Sequence, residues 1–515
     1  MYSIVKSAVL RGVEGILIQV EADISPGMPS FEMVGFLASE VKEAKERVRI
    51  ALKNSGILLP PRRITINFMP GDLRKSGSWF DLAVAAAILR AMNEIPEGIL
   101  KRSLIFGEVG LNGEVLPVRG MLPAAVLARD HQIPLMFVPE SNLQEASVLD
   151  GVVVIPVASV EDFIRICKSQ NPEKSACRVR TTQKQAEYRE DYSEIRGQRM
   201  VKRACEIAAA GMHNLLMIGP PGSGKTMAAK RLPTILPNMT KEEMLSLAQV
   251  YSVSGKFQVL QEDDVFQIQR PFQAPHHTIT AQGMCGGGRY PVPGAVSLAH
   301  KGVLFLDEFP EFPRPVIELL RQPLEDKKIR IARLEGTYEY PCDFLLLAAM
   351  NPCRCGYYPD LKKCRCTPSS VRRYLSKISR PILDRIDMTV ETKSIPASEL
   401  FRQKPGESSE QIRRRVQAAH EIQRQRFLKK DYSFNSQIPS KDMECWCEVN
   451  AETQAYLEEL SGRESFSARG YYKLLRTART IADLEGSEKI QMCHATEASA
   501  FRMAKRKYWE GQDEL

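Results

Sequence analysis

A glycine-rich segment that joins an apolar run to a helical pattern is the feature that most constrains this fold. Residues 219–226 are Gly-Pro-Pro-Gly-Ser-Gly-Lys-Thr, which fits the phosphate-binding loop (P-loop) pattern G-x-x-x-x-G-K-[ST] without gaps. The apolar run Leu215–Ile218 precedes this loop and a helical pattern follows it, which is the context that the motif requires. The alternative is a chance glycine-rich turn, which needs neither neighbour. The chain is therefore predicted to contain an α/β nucleotide-binding unit.

The residue types of this loop suit a polyphosphate. Its glycines let backbone N–H groups turn toward phosphate oxygens, and the following helix presents its positive N-terminus to the anion. Lys225 places a cation on the β- and γ-phosphates, and Thr226 supplies a hydroxyl to Mg²⁺. We therefore expect ATP and Mg²⁺ as cofactors. The residues expected to bind them are Gly219, Pro220, Pro221, Gly222, Ser223, Gly224, Lys225, Thr226 and, from a later strand, Asp307.

Two further apolar runs end in polar residues suited to hydrolysis. Val303–Leu306 is followed by Asp307, which can hold hydrated Mg²⁺, and by Glu308, which is placed to orient and deprotonate the attacking water. Taken alone, the two carboxylates are explained equally well as an acidic strand end that faces solvent. The run 344–349 leads to Asn351, whose amide is placed to position the water, although an isolated Asn-Pro pair is also a common turn. With the P-loop present, we predict catalytic roles for Glu308 and Asn351.

Size, charge and cysteine content bound the remaining possibilities. The 515 residues favour roughly three domains, and the formal charge of +9 permits a nucleic-acid partner without requiring one. No apolar stretch approaches the ~18 residues of a membrane span, and Arg11, Glu14 and Glu21 interrupt any signal-peptide core. The 12 cysteines are not spaced as a disulfide framework. We therefore expect a cytoplasmic protein without a membrane partner.

The chain divides by pattern into four parts. Residues 1–167 alternate strand-like and helical patterns, and residues 168–190 form a polar, charged linker. Residues 191–395 form a second α/β unit that contains the P-loop. Residues 396–515 are helical in pattern, with apolar residues at helical spacing at Ile412, Val416, Ala419 and Ile422.

The order of these strands, together with three longer segments, resembles the AAA+ superfamily and its magnesium-chelatase-like branch. The segments are residues 270–278, RPFQAPHHT, residues 294–302, GAVSLAHKG, and residues 379–387, SRPILDRID. The resemblance implies an AAA+ P-loop NTPase core at 191–395, followed by a C-terminal helical lid.

The N-terminal part resembles the Lon-protease-type domain, which has the S5 domain 2-like fold. Residues 75–90 and 107–122 carry this likeness. Alignment with the motifs of active Lon-type proteases places Trp79 at the nucleophile position and Leu122 at the position of the catalytic lysine. Neither side chain can serve as a nucleophile or its base, so the resemblance implies a non-proteolytic module.

A Lon-like domain, an AAA+ core and a helical C-terminal domain together resemble the ComM (YifB-like) competence-protein family. This resemblance implies a hexameric, DNA-dependent ATPase that acts on single-stranded or branched DNA and promotes branch migration during recombination or natural transformation. It also implies that Arg385 is an arginine finger that reaches the neighbouring subunit's site, and that Arg469 is the sensor-2 arginine. The simpler interpretation of each arginine is a surface ion pair.

Two other functions remain open at this stage. The first is a chelatase-type motor that remodels a protein partner, although such motor subunits typically lack a Lon-like domain. The second is an ATP sensor that regulates a partner, although a sensor has no need of a general base such as Glu308.

Cysteine and histidine clusters lie near the predicted site. Two C-x-C pairs, separated by eight residues, offer four thiolates for a tetrahedral zinc ion, and free thiols in a surface loop are the alternative. The pairs are Cys353 with Cys355 and Cys364 with Cys366. His276 and His277 are adjacent, which is poor metal-ligand spacing, and the sequence assigns them no role.

Basic residues suggest two candidate contacts for nucleic acid. The glycine-rich stretch 283–294 carries Arg289 and Tyr290, and residues 402–430 hold nine basic residues against three acidic ones. A plain surface loop explains the first feature equally well. A solvated helix face or an intersubunit ion-pair surface explains the second almost as well.

Overall fold

The computed structural model describes residues 1–169, 188–257, 269–334, 336–394, 406–464 and 467–510. Most of the predicted linker 168–190 lies outside these ranges, and so do Arg402 and Lys404 from the basic stretch. None of the helices in the described ranges is long and apolar enough to cross a membrane.

The N-terminal part is a mixed seven-stranded sheet covered by helices. The helix Asp81–Ala91 is buried at every position except Arg90, in keeping with its almost unbroken apolar sequence. The helix Ser39–Asn54 instead buries one stripe, at Val41, Ala44, Val48, Ala51 and Leu52. In spatial order the strands are Ser30–Val34, Arg63–Met69, Glu14–Ser25, Tyr2–Arg11, Ser103–Ile105, Leu135–Pro139 and Val153–Val157.

A five-stranded parallel sheet forms the centre of the following unit. Its spatial order is Phe272–Gln273, Val303–Leu306, Leu345–Met350, Leu215–Ile218 and Met388–Glu391. We name Leu215–Ile218 the P-loop strand, Val303–Leu306 the acidic strand and Leu345–Met350 the asparagine strand. These three strands were predicted and are confirmed, the last with a shift of one residue.

Alternate residues of the P-loop strand enter different apolar clusters. Leu215 and Met217 pack on one face of the sheet, and Leu216 and Ile218 pack on the other. Because both faces are covered, every position is apolar, which is typical of a central parallel strand. The two outermost strands escaped prediction because one has only two residues and the other contains polar side chains.

Helices surround this sheet and continue to the C-terminal side. The main helices after residue 190 are Arg199–Gly211, Lys225–Arg231, Lys241–Ser254, Arg314–Leu319, Arg321–Asp326, Pro368–Leu375, Arg380–Leu383, Ser409–Arg426, Ala451–Glu464, Ala468–Leu484 and Met492–Lys505. Ile412, Val416 and Ala478 join the same apolar cluster as Leu215, so the C-terminal helices pack against the sheet unit. The prediction for Ile422 is wrong: it is exposed, and the next residue, Gln423, is buried.

The N-terminal sheet unit contacts the second unit through the helix Lys241–Ser254. Ser252 donates a hydrogen bond to Glu145, a buried carboxylate that also accepts the backbone N–H groups of Met121 and Leu122. Burial raises the pKa of Glu145 above its ordinary value, although these donors oppose the shift. The two units are therefore joined by a buried polar contact.

Candidate nucleotide site

The P-loop leaves the carboxyl end of the P-loop strand, at the edge where open parallel sheets bind ligands. Gly222 and Gly224 have positive φ angles of 71° and 84°. A Cβ atom added at either glycine would meet nothing within 4 Å, so other described parts of the chain do not crowd the loop at these two positions. Such a backbone cradle fits a phosphate anion.

Lys225 is buried at the base of this cradle. Its Nζ donates to the backbone oxygens of Gly219 at 2.8 Å and Pro220 at 2.9 Å. It also lies 3.2 Å from Oδ1 of Asn351, the first residue after the asparagine strand. Burial lowers the pKa of Lys225 to about 8, and the nearby Asp307 carboxylate opposes this shift. The lysine is therefore held beside the cradle, and Asp307 offsets only part of the cost of burying its charge.

Thr226 and Asp307 meet across the site. The Thr226 hydroxyl donates to Oδ2 of Asp307 at 2.7 Å, which joins the start of the helix Lys225–Arg231 to the end of the acidic strand. A hydroxyl and a carboxylate oxygen are the donors expected around Mg²⁺ in a P-loop site. The residues present therefore fit Mg²⁺ with ATP, and the ion would supply positive charge beside the β- and γ-phosphate oxygens.

Glu308 projects into solvent beside these residues. Its side chain is 58% exposed, and its backbone is in the left-handed region at φ 50°. Non-glycine residues adopt that conformation at a cost of about 1–3 kcal/mol, and such strain is concentrated at functional sites. The carboxylate is accessible to water, as a general base requires.

His277 lies next to Glu308, a contact that sequence reasoning missed. Its Nδ1 is 3.4 Å from Oε2 of Glu308, and its ring is nearly perpendicular to the ring of Phe312, with centroids 6.4 Å apart. His276 faces Thr278 instead, with Nδ1 2.9 Å from the hydroxyl oxygen. The presence of His277 in the resemblance segment 270–278 was the only available signal. The contact allows His277 to fix the direction of the Glu308 carboxylate.

Arg385 and Arg469 meet at one carboxylate. The Nη2 atoms of Arg385 and Arg469 lie 2.5 Å and 3.0 Å, respectively, from Oε1 of Glu325. Partial burial opposes ionisation of Glu325, but the two guanidinium groups, Arg385 foremost, hold the pKa of that carboxyl below its ordinary value. In the described parts of the chain, neither arginine contacts residues 219–226. The structure therefore brings the two arginines together, but not at the P-loop of their own chain.

The backbone around Arg385 is tied to the P-loop strand and to the C-terminal helices. The side chain of Asn214, immediately before that strand, donates to the Arg385 backbone oxygen at 2.9 Å. Lys473, in the helix that begins at Ala468, lies 2.9 Å from Asp387. Burial lowers the pKa of Lys473 to about 8, and the Asp387 carboxylate opposes this shift. The C-terminal helices are therefore linked to the segment that carries Arg385 through the neighbouring residue Asp387.

The four clustered cysteines converge in space. Cys353 Sγ is 3.3 Å from Cys355 Sγ and 3.7 Å from Cys364 Sγ, and the last two sulfurs are 3.5 Å apart. Cys366 completes a group in which all four sulfurs lie within 4.8 Å of one another. A tetrahedral zinc site with Zn–S bonds of about 2.3 Å has sulfurs about 3.8 Å apart. The cluster therefore has the donors and spacing that zinc requires.

The Lon-like positions in the N-terminal unit serve packing. Leu122 is fully buried, and Trp79 donates its indole N–H to the backbone oxygen of Ala8 at 3.0 Å. Ser78 donates to Glu108, whereas Lys75 donates to a backbone oxygen rather than to a serine. No serine–lysine pair is therefore formed by these side chains.

The basic helix Ser409–Arg426 is largely neutralised by partners within the chain. Arg426 pairs with the buried Asp483 at 2.6 Å, and Arg415 pairs with Glu206, also at 2.6 Å. These contacts favour the interpretation of the helix as an ion-pair surface over that of a phosphate track. Other partners, Glu410 and Glu421, lie within one helical turn, whereas Glu206 and Asp483 lie far away along the chain and could not be paired from the sequence.

The stretch 283–294 contains a short hairpin, in which Gly286–Gly287 pairs with Val292–Pro293. Arg289 at its tip is exposed and lies over the ring of Tyr290. The Tyr290 hydroxyl donates to Glu40 of the N-terminal unit at 2.9 Å. The hairpin therefore contacts both units, and its tip exposes the charged side chain of Arg289 to solvent.

Comparisons with known proteins agree with this geometry. The family described as magnesium chelatase, subunit ChlI, matches residues 191–400; subunit ChlI of Mg-chelatase matches 20–142; and the subunit ChlI C-terminal family matches 406–502. The competence protein ComM of Haemophilus influenzae is 38% identical over 508 residues, which cover 97% of each chain. The uncharacterized protein YifB of Escherichia coli is 38% identical over 507 residues, which cover 98% of this chain and 97% of YifB.

A weaker similarity involves Lon proteases. The archaeal Lon protease of Thermococcus kodakarensis is 25% identical over 176 residues, which cover 32% of this chain and 27% of that protease. The chain therefore belongs to the ComM and YifB family, a magnesium-chelatase-like group of AAA+ ATPases with weak Lon homology in its N-terminal region.

Proposed function

We propose that this protein is an ATP-hydrolysing, ring-forming motor that acts on DNA. One observation carries the proposal. The P-loop lysine, the Thr226–Asp307 pair and Glu308 lie together at one edge of the sheet, while Arg385 and Arg469 are held at Glu325. Within the described residues, this site therefore offers Glu308 as the proposed general base, but neither Arg385 nor Arg469 stands beside the P-loop to stabilise the transferring phosphoryl group.

A neighbouring subunit is the natural source of that arginine. Arginine supplied in trans stabilises the charge on the transferring phosphoryl group and makes hydrolysis depend on assembly. Buried Nε of Arg385 has no hydrogen-bond partner within the described residues, so its present position leaves a donor unsatisfied. We propose that both arginines reach the adjacent P-loop in the assembled ring, with six subunits as in the hexamer expected from the family resemblance.

DNA is the proposed partner because of the relationship to a competence protein and the exposed Arg289 tip. The proposed activity is helicase or branch-migration activity on single-stranded or branched DNA during recombination or natural transformation. The neutralised helix Ser409–Arg426 supports the hairpin tip as the better candidate contact. An aromatic ring and a cation at one tip, Tyr290 and Arg289, are suited to contact the bases and phosphates of single-stranded DNA in a ring channel.

A chelatase-type motor that remodels a protein partner is the second candidate, and the similarity to magnesium chelatase subunit ChlI favours it. Two assays separate the candidates. ATP hydrolysis is measured with and without forked DNA, and branch migration is followed on a labelled substrate with Glu308→Gln as the inactive control. Stimulation by DNA and ATP-dependent strand exchange support the DNA motor. Indifference to every DNA substrate would reject it in favour of the chelatase-type function.

The same proposal assigns a structural zinc ion to Cys353, Cys355, Cys364 and Cys366. The sulfur spacing supports this assignment, and zinc prefers four thiolates in closed, structural sites. Metal analysis of the purified protein tests the assignment, with one zinc per chain expected.

A further inference from the structure

The loop that carries the four cysteines forms part of the wall of the P-loop. We name residues 352–366 the cysteine loop. It follows Asn351 directly, and Asn351 Oδ1 lies 3.2 Å from Lys225 Nζ. The cysteine loop is therefore attached to the nucleotide site at its first residue.

A second contact joins the cysteine loop to the P-loop, at Pro221. Gly356 packs so closely on Pro221 that an added Cβ would lie 2.5 Å from the Pro221 Cδ and 2.9 Å from its Cγ. Real Cβ atoms essentially never approach other atoms to below 3.0 Å. Gly356 also has a φ of 85°, which favours glycine. The absence of a side chain at 356 is thus what allows the two loops to touch.

The sulfur cluster determines where Gly356 lies. Gly356 follows Cys355 directly, and its N–H donates to the Cys353 backbone oxygen at 3.0 Å. The N–H of Tyr358 points to the Cys353 sulfur at 3.4 Å. A short turn is therefore folded around the first cysteine pair, with Gly356 at the face that meets Pro221.

We propose that zinc bound by the cysteine loop braces the P-loop, so that occupancy of the metal site sets the affinity for nucleotide. This inference rests on the proposed zinc and nucleotide sites. Zinc binding displaces the thiol protons and draws four sulfurs to one centre, which fixes the turn that carries Gly356. Without the metal, the turn keeps its backbone hydrogen bonds and weak thiol contacts but loses the centre that fixes all four sulfurs. Gly356 then supports Pro221 less firmly, and part of the binding free energy of the nucleotide is spent on ordering the P-loop.

The first test compares zinc content with nucleotide affinity in the full chain. Zinc is removed with a thiol-reactive mercurial and counted with a chromogenic chelator, and affinity is measured with a fluorescent ATP analogue. We expect one zinc per chain and a loss of affinity of about tenfold when it is removed. A Cys445→Ser and Cys493→Ser double variant is the matched control, because both thiols are exposed and lie outside the cluster. Protein without zinc, or unchanged affinity after zinc release, would overturn the proposal.

The second test leaves the metal ligands unaltered. Gly356→Ala introduces the Cβ that meets Pro221, and we expect weaker nucleotide binding with the zinc content retained. The positive φ of residue 356 also makes alanine locally unfavourable, so a modest fall in the melting temperature is expected as well. Adding Pro221→Ala removes the atoms that clash, so the double variant should recover affinity relative to Gly356→Ala. Loss of nucleotide binding in Lys225→Ala, together with unaltered affinity in Gly356→Ala, would reject the brace and leave the nucleotide site standing. Absence of binding in the wild-type protein would reject the nucleotide site itself.

Discussion

The affinity for nucleotide should fall as pH rises through 8 because Lys225 loses its proton. Burial lowers the pKa of Lys225 to about 8 in the free protein, whereas phosphate oxygens beside Nζ favour the charged form. Nucleotide binding therefore raises the pKa of this lysine and takes up a proton near pH 8. Protonated protein is the form that binds well.

The size of the effect follows from the fraction protonated. With a pKa of about 8, roughly nine-tenths of Lys225 is charged at pH 7 and about one-tenth at pH 9. The dissociation constant should therefore rise about tenfold between pH 7 and pH 9, which corresponds to about 1.4 kcal/mol of binding free energy. The affinity should be almost constant between pH 6 and pH 7.

Titration with a fluorescent ATP analogue at fixed Mg²⁺ and ionic strength measures this profile. Lys225→Arg is the matched control, because an arginine stays charged throughout and reveals any contribution from titration of the nucleotide. Subtracting its profile should leave the tenfold change. A wild-type profile that is flat from pH 7 to pH 9, or parallel to that of Lys225→Arg, would refute the assignment of Lys225 as the titrating cation.

Substitutions at three positions test the other members of the site. Glu308→Gln should bind ATP with wild-type affinity but hydrolyse it about 10²–10⁴-fold more slowly, measured as phosphate release, and near-normal turnover would exclude Glu308 as the base. His277→Ala should lower kcat while KM stays within about twofold, because the Glu308 carboxylate loses the side chain that orients it. His277→Asn should recover part of kcat, and a change in KM alone would contradict this role. The Arg385→Ala variant should bind ATP but not hydrolyse it. Mixing this variant with Lys225→Ala subunits should restore some phosphate release if the arginine acts in trans. Absence of recovery at every mixing ratio would contradict action in trans.

The local parts of the fold and site were accessible from sequence. The P-loop strand and the acidic strand are confirmed with their predicted bounds, because each is a short apolar run that must be buried on both faces. Thr226 and Asp307 were expected near each other because both follow parallel strands of one sheet. The asparagine strand lies between the P-loop strand and the acidic strand, but the carboxyl ends of all three parallel strands meet at the same edge of the sheet, so the motifs alone were sufficient here.

Contacts between distant segments could not be predicted in this way. Arg385 and Arg469 converge on Glu325 from a turn and a helix separated by more than eighty residues. The pairing of His277 with Glu308 depends on how one loop crosses the end of the acidic strand. No periodicity or spacing in the sequence predicts which loops cross each other in space. The distant partners of the basic helix, Glu206 and Asp483, could not be predicted for the same reason.

Phosphate release by the purified, assembled protein, with and without forked DNA, tests the central claim most directly. The account predicts ATP hydrolysis that rises with protein concentration, accelerates with DNA and disappears in Lys225→Ala. Protein that neither retains nor cleaves adenine nucleotide at any concentration, with or without DNA, would contradict the nucleotide site and the motor built on it.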